Sequence, residues 1–191
     1  MSSTSTPRLT RRGFALTALA GVTFAAGCGN GVGNSNAAKI DARVDATLSQ
    51  MYTMFPNTQD LAAKSTGMLV MPLMTRAGFG LGGAFGRGAL RVNGATVDYY
   101  SSVKGSAGFQ IGAQQYAHVL FFMTDDALAE FRHSSGWAAG ADLVYVLNDR
   151  GDSMAADTNT LRSPILAAVF GQAGIYAGAS LEGAKYTRII P

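Results

Sequence analysis

An α+β fold is predicted for this sequence: a mostly antiparallel, strongly curved β-sheet or small barrel, with an N-terminal helix and one or two further helices. Three observations carry that expectation. A single helical apolar stripe opens the domain, short alternating or apolar runs fill nearly everything after it, and a glycine-rich heptapeptide recurs among those runs.

The chain begins with a leader. Thr10-Arg11-Arg12-Gly13-Phe14 resembles a twin-arginine export motif, and the apolar stretch to Ala26 is too short to span a bilayer, which takes ~20 residues. Ala25-Ala26-Gly27-Cys28 resembles a bacterial lipobox, which predicts cleavage before Cys28 and acylation of its thiol. Residues 1–27 are therefore read as a signal peptide, with Arg11 and Arg12 as the export signal and Cys28 as the lipid attachment site. Cys28 is the sole cysteine, so no disulfide is available and the core must stabilise the domain.

Setting the leader aside changes the meaning of the charge. The formal +3 comes from Arg8, Arg11 and Arg12, and from Cys28 onward twelve basic residues balance twelve acidic ones. A neutral domain has no electrostatic case for nucleic acid.

Residues 28–38, rich in glycine and asparagine, read as a flexible tether whose last ten residues have an r.m.s. span of about 16–19 Å. Residues 39–191 form one domain. Ile40, Val44, Leu48, Met51, Tyr52 and Phe55 fall on one helical face, and Pro56 stops the run. The polar face sets Lys39 and Arg43 against Asp41 and Asp45. That neutral balance favours packing onto the domain's own core over lying in a membrane interface.

A short helix is expected over Thr58 to Lys64 and a strand over Gly67 to Met71. Asn93-Gly94 predicts a type I′ hairpin turn between Leu90 and Val97, because this pair takes two positive φ values at little cost. His118 to Met123 reads as a strand. Thr124 then caps a helix that starts with Asp125 and Asp126 and buries Leu128 and Phe131. Asp142 to Leu147 and Ile165 to Phe170 are further strands, divided by a polar loop from Asn148 to Thr160.

The heptapeptide occurs as Ala77–Gly83, Ala107–Ala113 and Ala173–Ala179, with a weaker copy at Ser135–Ala141. Each copy has two glycines four apart. In an extended strand these share one face, which predicts sharply bent strands. Gly78 to Gly83 also spells G-x-G-x-x-G, but Ala84-Phe85-Gly86-Arg87-Gly88 does not open the helix that a dinucleotide site requires. Arg150-Gly151-Asp152 reads as an ordinary turn.

Catalytic constellations are sparse. His118 lies in a strand and His133 at a helix end, no serine sits in a nucleophile elbow, and Asp125-Asp126 reads as a helix-capping pair. No enzyme activity, cofactor or metal site is expected.

From about Ala62 to Ile190 the chain resembles the SYLF, or actin-patch lipid-binding, domain. The residues that carry the likeness are the strand entry Ala63–Pro72, the Gly-Phe-Gly-rich pair Ala77–Leu90, the block Gly105–Gln114 and the late segment Gly174–Gly183. The resemblance implies phospholipid binding, which eukaryotic members direct at phosphoinositides alongside actin through an amphipathic helix and basic residues. Bacterial members are commonly exported. The sequence departs from the family's tryptophan around Val97-Asp98-Tyr99-Tyr100 and in its tail.

The expected protein is thus a non-catalytic phospholipid-binding module of the bacterial cell envelope, held by its acyl anchor on the outer membrane and facing the periplasm. The alternative is a structural lipoprotein that meets an envelope protein partner. Lys64, Arg76, Arg87, Arg91 and Lys104 are the candidate headgroup-binding residues. Arg87 and Arg91 share a strand face at period two, where they either converge on one phosphate or keep an outer face wet.

Overall fold

The computed structural model describes residues 33–79, 81–107, 112–140, 143–147, 163–171, 174–175 and 180–191. Arg11, Arg12, Cys28 and the polar loop from Asn148 to Thr160 lie outside the described residues.

Helix α1 spans Ser35–Met54 and starts earlier than the sequence suggests. The Asn34 side chain accepts from the Ala37 amide at 2.7 Å, and its own amide donates to the Pro191 main-chain oxygen at 2.8 Å. The tether expected through residue 38 is corrected accordingly, because Ser35–Ala38 form the first helical turn. Asn34 serves there as an N-cap, and Ala37 is fully buried. The apolar face packs onto the domain as expected, burying Val44, Met51 and Phe55. Helix α2 covers Thr58–Lys64.

Nine strands follow among the described residues: β1 Gly67–Phe79, β2 Leu81–Val92, β3 Ala95–Ala107, β4 Gly112–Phe122, β5 Trp137–Ala138, β6 Val144–Tyr145, β7 Ile165–Gly171, β8 Gly174–Ile175 and β9 Lys185–Ile189. Helix α3, Asp125–His133, separates β4 from β5, and Thr124 Oγ1 accepts from the Ala127 amide at 3.3 Å. The sheet order is β5-β9-β3-β2-β1-β4-β7-β6, with β8 on β7, and all pairings but β6–β7 are antiparallel. The α+β class, the curled antiparallel sheet and the N-terminal helix are as the sequence predicts. Asn93 and Gly94 take φ of 50° and 79° at the β2–β3 turn.

The glycine echo does a different job from the one expected. Gly78 pairs with Gly82 across the β1–β2 turn, so the two glycines face each other on separate strands. The second copy begins at the end of β3 and finishes in the start of β4. These two copies mark strand ends, and Gly78–Gly83 opens no helix; most of the third copy, Ala173–Ala179, lies outside the described residues. Curvature arises instead at a bulge in β1. Pairing with β2 moves from Val70–Ala89 to Leu73–Arg87, and pairing with β4 from Met71–His118 to Met74–Tyr116. One extra residue is accommodated in β1, at Pro72-Leu73, where a proline without an N–H is tolerated. Opposite the bulge, β2 presents Gly86 and Gly88. A Cβ on Gly88 would overlap the Val70 carbonyl oxygen and the Met71 sulfur, and one on Gly86 would lie 2.5 Å from the Leu73 carbonyl oxygen. Only glycine permits this approach.

The curl gives the sheet two unequal faces. The inner one holds Leu69, Met71, Leu90, Tyr100, Leu120 and Phe122 and is filled by Phe131 of α3. The outer one holds Val70, Ala89, Tyr99, Val119 and Phe121 and is covered by α1 and α2. The curl is tight enough that Tyr186 of β9 reaches His118 of β4 across three intervening strands, with the hydroxyl 2.8 Å from Nε2.

His118 is fully buried, and burial pulls its pKa from 6.5 down to about 3. Its Nδ1 has no hydrogen-bond partner among the described residues. The unfolded chain therefore binds a proton that the folded one refuses. Stability is whole above about pH 6.5 and falls as the pH drops toward 3, by up to roughly tenfold in the folding constant per pH unit. Urea titrations across this range should show the loss, and His118→Phe should flatten it.

Candidate anion-binding cleft beside the N-terminal helix

The site begins with the arithmetic of α1. Residues two apart lie about 200° apart around a helix. Asp41 and Asp45 therefore take one flank of the buried stripe, while Lys39 and Arg43 take the other. The acidic flank is fully engaged. Asp41 accepts from the Thr96 hydroxyl at 2.7 Å and the Tyr99 hydroxyl at 2.8 Å. Arg91 donates to Asp45 at 2.6 Å and to the Gly94 carbonyl at 3.0 Å, and its guanidinium lies 3.9 Å from Asp41. Burial, reinforced by the Asp41 carboxylate, pushes the Tyr99 phenol up to about 12.

The basic flank is left free. Lys39 and Arg43 are exposed, and neither has a carboxylate partner among the described residues. They overhang a cleft of about 360 Å³ between α1 and the bulged strands. Its floor is Pro72, Leu73 and Gly86, and its far wall is Thr75, Phe85 and Arg87. Arg87 places its guanidinium 6.0 Å from the centre of the Phe85 ring. Among the described residues three cations and no acid line the cleft, which is open to solvent and wide enough for a phosphate-bearing group.

Of the five predicted headgroup residues, the structure brings only Arg87 to this cleft. Arg91 shares its face, as expected from the two-residue period, but is half-buried and held by Asp45, so it does not converge with Arg87 on a phosphate. Arg76 and Lys104 flank Ala84 across the strands and therefore belong to the opposite, inner face. Lys104 donates to the Ser180 carbonyl, and burial, then the nearby Arg76 charge, lowers its pKa. Lys64 ends α2 before β1 begins. Lys39 and Arg43 escape a reading that counts them against Asp41 and Asp45. The signal available was the two-residue offset between two i, i+4 pairs.

The other cationic cluster is used structurally. Arg132 and Arg188 both reach the buried carboxylate of Asp98, at 3.2 and 3.5 Å, tying α3 and β9 to β3. Among the described residues no group of three His, Cys, Asp or Glu side chains is placed to hold a metal ion. No described helix is long and apolar enough to cross a membrane.

Residues 103–188 match the model of the Ysc84 family, described as Las17-binding protein actin regulator. The matched stretch runs from within β3 to within β9, so Lys39, Arg43 and Arg87 all precede it. A comparison with curated proteins found no match.

Removing the Asp41 carboxylate separates the two flanks experimentally. Asp41→Ala strands the buried Tyr99 hydroxyl and should cost about 1–3 kcal/mol in denaturant titrations. Lys39→Ala, on the free flank, should stay within about 0.5 kcal/mol of the parent.

Proposed function

We propose that this protein is a non-catalytic phospholipid-binding module of a bacterial cell envelope, a reading supported by the match of residues 103–188 to the Ysc84 family model and by the resemblance of the sequence to the SYLF lipid-binding domain. Its leader carries it out of the cytoplasm through the Arg11-Arg12 signal. An acyl anchor on Cys28 then holds it on the membrane facing the periplasm. The cleft beside α1 takes the anionic part of a phospholipid headgroup. The observation that carries this reading is the presence of Lys39, Arg43 and Arg87 around one cavity, with no carboxylate partner among the described residues.

The chemistry fits a phosphodiester. Arg43 and Arg87 present planar donor forks that match phosphate oxygens, and Lys39 adds a compact charge. The domain is neutral overall, so attraction to an anionic surface rests on this local cluster and is screened by salt over about 8–10 Å.

Binding is measured with the full chain carrying Cys28→Ser, since cutting at residue 38 would remove the Asn34 cap and the buried Ala37. That chain should bind vesicles of phosphatidylcholine mixed with phosphatidylglycerol better than vesicles of phosphatidylcholine alone. Each basic residue near an anionic surface contributes about 1 kcal/mol, so Arg43→Gln with Arg87→Gln should weaken binding roughly thirtyfold and flatten its salt dependence. Lys64→Gln should change little. Equal binding by parent and double variant would refute the cleft as the headgroup site.

The anchor has its own test. In a bacterial host the parent chain should fractionate with membranes, and Cys28→Ser should move it to the soluble fraction after a salt wash. A variant that stays with the membranes after that wash would remove Cys28 as the main tether.

A further inference from the structure

Beyond the cleft, α1 no longer covers the outer face of the sheet, and two large apolar side chains stand in the open. Phe85 is 49% exposed and Val103 is 55% exposed. They are direct cross-strand partners on β2 and β3, so their side chains form one contiguous patch. The same row continues to Thr75 on β1 and to Lys185 on β9. Phe85 also forms part of the cleft wall beside Arg87, which makes patch and cleft continuous.

We propose that this Phe85–Val103 patch enters the boundary between headgroups and acyl chains of an anionic bilayer, so that the cleft meets its headgroup in place on the membrane. The inference rests on the headgroup reading above and adds how the domain is oriented. The occupant follows from the charges. Two apolar side chains with Arg87, Arg43 and Lys39 along one side and Lys185 next to Val103 in the row complement a surface that is apolar inside and anionic outside. A stable protein partner needs about 800 Å² per side, usually around several buried anchors, and two side chains do not provide that.

The test again uses the full chain carrying Cys28→Ser, which leaves a cysteine introduced by Val103→Cys as the sole thiol. It is labelled with an environment-sensitive fluorophore and mixed with phosphatidylcholine–phosphatidylglycerol vesicles. The label should shift to the blue and be quenched by phospholipids brominated on their acyl chains. A label on Glu130→Cys, on helix α3 at the inner face, should do neither. Val103→Gln should weaken vesicle binding about tenfold, leaving the weak binding of soluble glycerophosphoglycerol unchanged. Arg87→Gln should weaken both.

A Val103 label that stays in water on vesicles the chain demonstrably binds would overturn the proposal, as would parental binding by Val103→Gln. In either case the headgroup reading survives if Arg43→Gln with Arg87→Gln still loses binding. Conversely, a buried label together with full binding by that double variant supports insertion and removes the headgroup site.

Discussion

The grip of Asp41 on Tyr99 and Thr96 sets the roll of α1 about its own axis, and the arrangement around the helix depends on that roll. A helix with a narrow apolar stripe can lie on a sheet with some rotational latitude, because dispersion and burial are not directional. Two hydroxyl-to-carboxylate hydrogen bonds remove the latitude. They are charge-assisted, and one comes from a fully buried tyrosine that would otherwise be unpaired. The Arg91–Asp45 pair contributes less, since Asp45 is largely exposed and such pairs are typically worth under about 1 kcal/mol. With the acids turned to one side and consumed, a helix of zero net charge presents only cations to the other.

The second constraint is steric and lies in β1. Pro72 places one residue too many against both neighbours, and the strand bends instead of slipping register. Gly86 and Gly88 let β2 follow the bend, since any Cβ there would collide with the backbone or sulfurs of β1. The bend has consequences on both faces. Inside, it closes the sheet until Tyr186 meets His118 and the ring of Phe131 packs among Tyr100, Phe122 and Trp137. Outside, it divides the sheet into a half that α1 covers and a half that it does not. The cleft lies on that dividing line.

What could be read from the sequence was what is local. The Asn93-Gly94 turn, the Thr124 cap, the Thr58–Lys64 helix and the apolar stripe from Ile40 to Phe55 each depend on residues within a few positions of one another. The full length of β1 was hidden because its bulge shifts the in-out alternation, so that Met71 and Met74, three apart, both face inward. The glycine echo misled because a Gly-x-x-x-Gly string looks the same along one bent strand as across a tight turn. Composition likewise made Ser35-Asn36-Ala37-Ala38 look like a tether. The Asn34 cap and the burial of Ala37 against the domain show that it is helix. Arg91 was visible as a cation but not as a partnered one. Its occupation, and the freedom of Lys39 and Arg43, follow from contacts 46 to 58 residues away in sequence.

On the reading proposed here, the neutral charge of the domain and its anchor complement each other. Three cations at about 1 kcal/mol each give roughly two orders of magnitude in partitioning to an anionic surface, too little to keep a dilute protein on a membrane. A tethered domain does not start from dilution. An acyl anchor and a short linker would hold the cleft at an effective concentration of order millimolar, where weak recognition is largely saturated. Under that condition a stronger cationic surface would add little occupancy and would blur selectivity, because any anionic lipid would satisfy it. A cleft that gathers three cations, on a domain whose net charge is zero, suits a protein whose residence would be set by its anchor and whose recognition would be set by local geometry.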